Sequence, residues 1–310
     1  LSAQAYPDDL PDGPVIDRAE VDRLVCHPDI DRAITVSAKT IVEMHRGHWV
    51  MNRLVSDRGR FVLATMMTEL HFREGKGGGF TAARLRDLAI AEAVCSPGRV
   101  TAFIAAMRLV GFLRPAPSAD RRAKRLVPTT QFIDLQRERM TGMFLARAIV
   151  RPHDDVAALE DPWVLGGMMS FMLKRYVQGF RIAIEVPALR HVMDRDVGIP
   201  LTLCVVLNDL EGRQSNIAPL ARRFSVSRSH VLTVIRELSA ENLIEQSSAR
   251  GGFRGTPLLL EAARRFFATA YLLQEEGIVH AKAWAARADR SGEIAAAEPP
   301  AVKSASAPRR

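Results

Sequence analysis

The stretch SPGRVTAFIAAMRLVGFL (96–113) returns in altered form as SRSHVLTVIRELSAENLI (227–244), 131 residues further on. At that offset Ser96 meets Ser227, Val100 meets Val231, Ile104 meets Ile235 and Met107 meets Leu238. A second matching pair, SDRGRFVLATMMTEL (56–70) and RDVGIPLTLCVVLNDL (195–210), lies upstream of each copy. An internal repeat commits both halves of a chain to one local plan. The plan reads as helix, helix, helix, two short strands, helix. The expected fold class is therefore mainly α: two tandem units, each three helices plus a two-stranded wing, joined by long helices about a pseudo-twofold.

Periodicity and breakers place the elements. Residues 1–16 are rich in Pro and Asp and read as a flexible arm. Helices are expected from about 29 to 57 and over 61–72, 81–94 and 96–113. Residues 114–129 read as two strands with a basic turn, and a helix follows over 130–149. RPHDDVAALEDP (151–162) divides the halves, so residues 17–150 hold the N-terminal helices and first unit, and 151–290 the linker helix and second unit. Residues 163–194 read as a helical run bent near Pro187, followed by a helix over 200–210. The Ala/Pro/Ser-rich tail, 291–310, is expected to be disordered.

In LARRFSVSRSHVLTVIREL, Ser225 falls in a tight turn and Ser227 suits the N-cap of the next helix. Leu220, Ala221, Val226, Val231, Ile235 and Leu238 form one apolar face over both helices. That pattern is a helix-turn-helix. ENLIEQ and the turn ARGGFRG then supply a wing. Arg228 and His230, with Arg99 in the first unit, put cations at the positive end of a helix dipole, at a cost of roughly 0.3–1 kcal/mol each. A nucleic-acid phosphate would reverse that sign; a salt bridge to a neighbouring acid is the alternative reading. With Val231, Val234, Ile235 and Leu238 inward, Ser229, Thr233, Arg236 and Glu237 face outward, a set able to read base edges. The matching set in the first unit is Gly98, Ala102, Ala105 and Ala106, which has almost no hydrogen-bonding capacity. Arg121, Arg122, Lys124 and Arg125 in the first wing, and Arg250 and Arg254 in the second, suit phosphates or the minor groove.

The first wing, GFLRPAPSADRRAKRLVPT, resembles that of the MarR family of bacterial transcription regulators. Asp120, Arg121, Arg122, Leu126 and Thr129 match that family's Asp-Arg-Arg wing and following Leu-Thr element, with Val-Pro inserted before Thr129. The second wing lacks the Asp-Arg-Arg. The resemblance covers roughly 57–145 and 197–285, as though two family members were fused. It implies a DNA-binding regulator, double-stranded DNA as partner, a small-molecule effector, and a monomeric pseudo-dimer or a homodimer. A plasmid-type replication initiator and a winged-helix protein scaffold are the alternatives.

The net charge of +8 and pI near 9.9 favour an anionic partner. Cys26, Cys95 and Cys204 make neither a metal spacing nor a disulfide framework, so a reducing, cytoplasmic location is expected. Cys26 is expected to be a buried structural thiol. The longest apolar run, VLGGMMSFML (164–173), is about half a bilayer span, no signal peptide is legible, and a start at Leu1 suggests a trimmed upstream segment. GKGGG (75–79) lacks the order of a phosphate loop. His45 and His48 stand three apart with nothing to complete a metal site. The Met-rich run Gly166, Gly167, Met168, Met169 and Met172 is expected to serve core or interface packing first and a ligand pocket second. No Ser/His/Asp or paired-carboxylate arrangement is legible, so neither an enzyme nor a cofactor is expected.

Overall fold

A computed structural model describes residues 16–45, 57–73, 79–116, 124–246 and 252–297, with side chains through 287. The first half contains α1 (Arg18–Val25), α2 (Ile30–Met44), α3 (Arg58–Arg73), β1 (Phe80–Thr81), α4 (Ala82–Ala91), α5 (Pro97–Leu109), β2 (Leu113–Pro115), β3 (Arg125–Pro128) and α6 (Thr130–Val150). After a 3-10 turn at Asp155–Glu160 come α7 (Pro162–Val177), α8 (Ile182–Glu185), α9 (Arg190–Met193), α10 (Gly198–Leu210), α11 (Ile217–Arg223), α12 (Arg228–Ala240), β4 (Ile244–Gln246), β5 (Phe253–Gly255) and α13 (Pro257–Ala297). The protein is mainly α-helical, with short antiparallel strands.

The sequence repeat persists in the hydrogen bonds. Ser96 Oγ accepts from Arg99 N at 3.4 Å to start α5, and Ser227 Oγ accepts from His230 N at 3.1 Å to start α12. Beyond each helix a left-handed residue, Gly111 (φ 76°) or Asn242 (φ 58°), turns the chain. The next amide reaches back into the last turn: Phe112 N to Met107 O, and Leu243 N to Leu238 O, both 2.9 Å. This closes the helix end with an apolar residue tucked beneath it. Thr129 and Thr256 then repeat one pair of bonds. Their hydroxyls donate to Gly111 O (2.9 Å) and Asn242 O (2.8 Å), and their amides to Phe112 O and Leu243 O, both 2.9 Å.

The strands repeat with one difference. β2 pairs with β3 (Leu113 opposite Pro128), as β4 pairs with β5 (Ile244 opposite Gly255). β1 adds a third strand to the first sheet, with Phe80 opposite Leu126, while its counterpart in the second half is one bridge between Ser215 and Phe253. β1 was not legible in the sequence because a two-residue strand is too short for alternation to register.

Buried apolar residues fall into three clusters. One centres on the first half, with Leu63, Met66, Leu85, Val100 and Ile104, and takes in Leu173 of α7. A central one joins α6, α7 and α13 through Met140, Phe144, Leu165 and Ala281. The largest contains second-half residues such as Leu201, Val231 and Phe267 together with Leu24, Ile30, Ile34 and Ala38 of α1 and α2. Hence α1 and α2 share a core with the second half, while α2 also packs on Met143, Ala146 and Val150 of α6 in the first. Ion pairs follow the same seam: Arg264 to Asp31, Arg265 to Asp22, Arg223 to Glu43 and Lys39 to Glu211.

Three expectations are corrected. The run 163–194 breaks first after Val177, where Gly179 has a φ of 94°, and only later at the 3-10 turn beginning at Pro187. α13 continues to Ala297, into the stretch expected to be disordered, because GEIAAA is rich in good helix formers. Cys26 is exposed: it is the C-cap residue of α1, past the buried Val21, Leu24 and Val25. No described helix is long and apolar enough to cross a membrane.

Candidate nucleic-acid interface

The polar face of α12 stands on its apolar one. Val231, Val234, Ile235 and Leu238 are buried, as their spacing required. Arg228, Ser229, Thr233 and Arg236 are exposed. Among the described residues, Arg228 and Arg236 have no acidic partner and no side-chain hydrogen bond. Thr233 Oγ1 donates to Ser229 O at 3.0 Å, a bond local to the helix, and Ser229 Oγ meets Ser227 Oγ at 2.9 Å. Glu237, expected to face outward with them, is instead half-buried and paired with Arg195.

Arg99 and His230, unlike Arg228, are engaged within the chain. Arg99 NH2 donates to Asp57 Oδ2 at 2.7 Å, so in α5 the alternative reading, a salt bridge to an acid, describes the cation. Asp57 is itself almost fully buried, and its Oδ1 accepts from Arg60 N at 3.0 Å as a cap on α3. His230 Nε2 donates to the carbonyl of Asp196 at 2.7 Å, which fixes its tautomer. Asp57 and Asp196 are counterparts in the upstream repeat, and Arg60 joins them, at 3.2 Å to Asp57 Oδ2 and 2.7 Å to Asp196 Oδ1. Arg58 adds a pair with Asp194 at 2.9 Å. A network of charges thus links the starts of α5 and α12 across the junction of the halves.

The counterpart face on α5 is bare of polar groups. Gly98, Ala102 and Ala105 are exposed, and Leu109 is 86% exposed. Ala106, expected among them, is half-buried against the first core because it follows Phe103 by three residues. Of the wing cations, Lys124 is exposed, while Arg125 is half-buried and donates to Gly79 O at 3.2 Å. Arg254 is exposed on β5. Arg121, Arg122 and Arg250 lie outside the described residues, as does His48. Beneath Arg254, Asp209 Oδ2 accepts from Gly255 N at 2.7 Å, and burial lifts this carboxyl to about 6.

Sequence reasoning missed Asp57, Arg60 and Asp196 as one group. The upstream repeat aligns the two aspartates, but nothing in the sequence says that Arg60 stands between them.

No protein-family model, no curated protein and no solved structure matches the chain. The geometry above is therefore the only ground for a functional reading.

The remaining candidates divide. His45 caps α2 and donates through Nδ1 to Ile41 O at 2.8 Å, and no group of three metal-binding side chains occurs among the described residues. Gly167 lies against the backbone of Ala281, where a Cβ would come within 2.7 Å of Cα, so it serves close helix packing of α7 on α13. Met169 is fully buried, while Met168 and Met172 line a cavity of about 360 Å³. The Met-rich run thus packs the core and borders a cavity.

Proposed function

We propose that the protein is a DNA-binding transcription regulator built from two tandem winged helix-turn-helix units. The observation that carries the reading is the outer face of α12: Arg228, Ser229, Thr233 and Arg236 stand in the open, and neither arginine has a counter-ion among the described residues. An exposed arginine matches guanine in the major groove, and Ser and Thr accept or donate to either base type. The serine cap, left-handed C-terminus and hairpin after α12 are parts that a winged helix-turn-helix uses, and they support this reading. The net charge of +8 agrees with an anionic partner. In this reading the second unit reads sequence, and Lys124, Arg254 and the basic wing residues outside the described regions hold phosphates. The chain binds as a monomeric pseudo-dimer in the cytoplasm, with no catalytic step.

A second reading has one observation behind it. The α5 face of Gly98, Ala102, Ala105 and Leu109 suits contact with protein better than with base edges. On that reading the first unit docks a protein and only the second touches DNA. Gel-shift selection from random genomic fragments, followed by sequencing, tests both. Enrichment of promoter fragments supports the regulator. Iterated origin sites would point to a replication initiator, and no enrichment to a protein scaffold.

A further inference from the structure

The cavity of about 360 Å³ lies where the halves meet. Its walls come from α3 (Phe61, Val62, Thr65), α6, α7, the start of α10 (Ile199, Pro200) and α13. The lining is apolar and rich in methionine, with Met44, Met140, Met143, Met168, Met172 and Met193. Among the described residues, no Asp or Glu lines it.

Among its cations, Arg58 pairs with Asp194, Arg175 with Glu276, and Arg181 donates to the carbonyls of Tyr176 and Phe180. Arg139 differs. Its guanidinium lies 4.7 Å from the centre of the Phe61 ring, and its buried Nε has no hydrogen-bond partner. No acid among the described residues pairs with it, and residues 46–56, between α2 and α3, contain no Asp or Glu. Exclusion of water alone pulls its pKa down to about 10. The buried side-chain oxygen of Gln274, also in the lining, has no partner either.

Arg139 is half-buried, and a cation partly withdrawn from water with no acid beside it among the described residues is costly, so chains rarely keep one unless something completes it. We infer that this cavity binds a medium-chain aliphatic carboxylate, its head on Arg139 and its tail among the methionines. Size supports the class: at ~30 Å³ per water-sized group the space holds about a dozen non-hydrogen atoms, the size of decanoate. The lining supports it too, since unbranched thioether side chains repack around a flexible chain more readily than they form a flat slot. Binding itself does not depend on the DNA-binding reading. Its consequence does: α3 and α10 carry the two ends of the Asp57–Arg60–Asp196 network, so an occupant wedged between them changes how the reading helices are set.

The test is calorimetry with decanoate and decanol on the full chain, without DNA. Decanoate should bind the parent at least about tenfold more tightly than decanol, the scale of one charge-assisted hydrogen bond. Arg139→Met should abolish that preference, and circular dichroism should show the variant folded. Ala270→Phe, which fills the cavity without touching its charge, should weaken both ligands together. No decanoate binding, equal binding of decanol, or an unchanged preference in Arg139→Met overturns the assignment. A positive result without DNA binding would leave this site standing and remove the regulator reading alone.

Discussion

A side chain's inward or outward direction on α12 was legible because a 3.6-residue period leaves few choices: Val231, Val234, Ile235 and Leu238 are buried and Thr233 and Arg236 exposed. Partners distant in sequence were not legible. Arg99 meets Asp57 from 42 residues away, and no local pattern encodes that distance. The functional consequence belongs to the outward pair. Thr233→Ala and Arg236→Ala should each lose roughly 1–3 kcal/mol of discrimination for the selected site while keeping non-specific affinity. Ala102→Ser and Ala105→Ser should leave the preferred site unchanged. Competition gel shifts with selected and scrambled duplexes measure this, and the opposite pattern would move the reading helix to the first half. Asp209 gives a separate expectation. Burial raises its carboxyl from 3.8 to about 6, against a weaker opposing pull from the Gly255 amide and nearby Arg254. The folded chain therefore holds a proton that the unfolded chain releases, and this contribution is complete below pH 4 and lost as pH rises through 6. Asp209→Asn keeps an acceptor for Gly255 and removes the charge, so it should stabilise the protein at pH 7.5 and leave pH 4 little changed. Urea midpoints at the two pH values decide it.

At the scale of elements, the repeat announced short helices followed by a strand pair in each half before any geometry was known. What it hid was the difference between copies: a third strand in one sheet, a single bridge in the other. The first wing shows why a run of cations is not a set of equals. Lys124 is exposed, whereas Arg125 donates to Gly79 O and helps fix β3 beside the chain leading into β1. If the wing holds phosphate, Lys124→Ala should lower the log–log salt slope of DNA binding by about one unit without altering the melting temperature. Arg125→Ala should lower the melting temperature as well. An unchanged slope in Lys124→Ala would mean that this end of the wing stays in solvent. The cap of α12 is a plainer case. Ser227→Ala removes the acceptor for His230 N and should cost ~1 kcal/mol in stability, read from chemical denaturation.

For the whole molecule, the period of α2 told which of its faces is apolar but not which half it would cover. It covers both, with α6 of the first half on one side and α10 of the second on the other, so the two halves are laced together by α2. The Asp57–Arg60–Asp196 link is a second tie, placed between the starts of α3 and α10 and next to Arg99 and His230. One guanidinium serving two carboxylates depends on the forked geometry of arginine, which a lysine ammonium lacks. Arg60→Ala should leave Asp57 neutralised by Arg99 and Asp196 free of Arg60, so the fold persists while the junction loosens. Hydrogen exchange should then quicken in residues 58–64 and 198–204 and stay unchanged at β4 and β5, which share no bond with the link. Arg60→Lys should fall between parent and Arg60→Ala. If the DNA-binding reading is right, the loosened junction should also relax the preferred distance between half-sites, because the same link holds α5 and α12 in register. Exchange identical to the parent at both helix starts would show that packing alone sets the register and that the charge network is incidental.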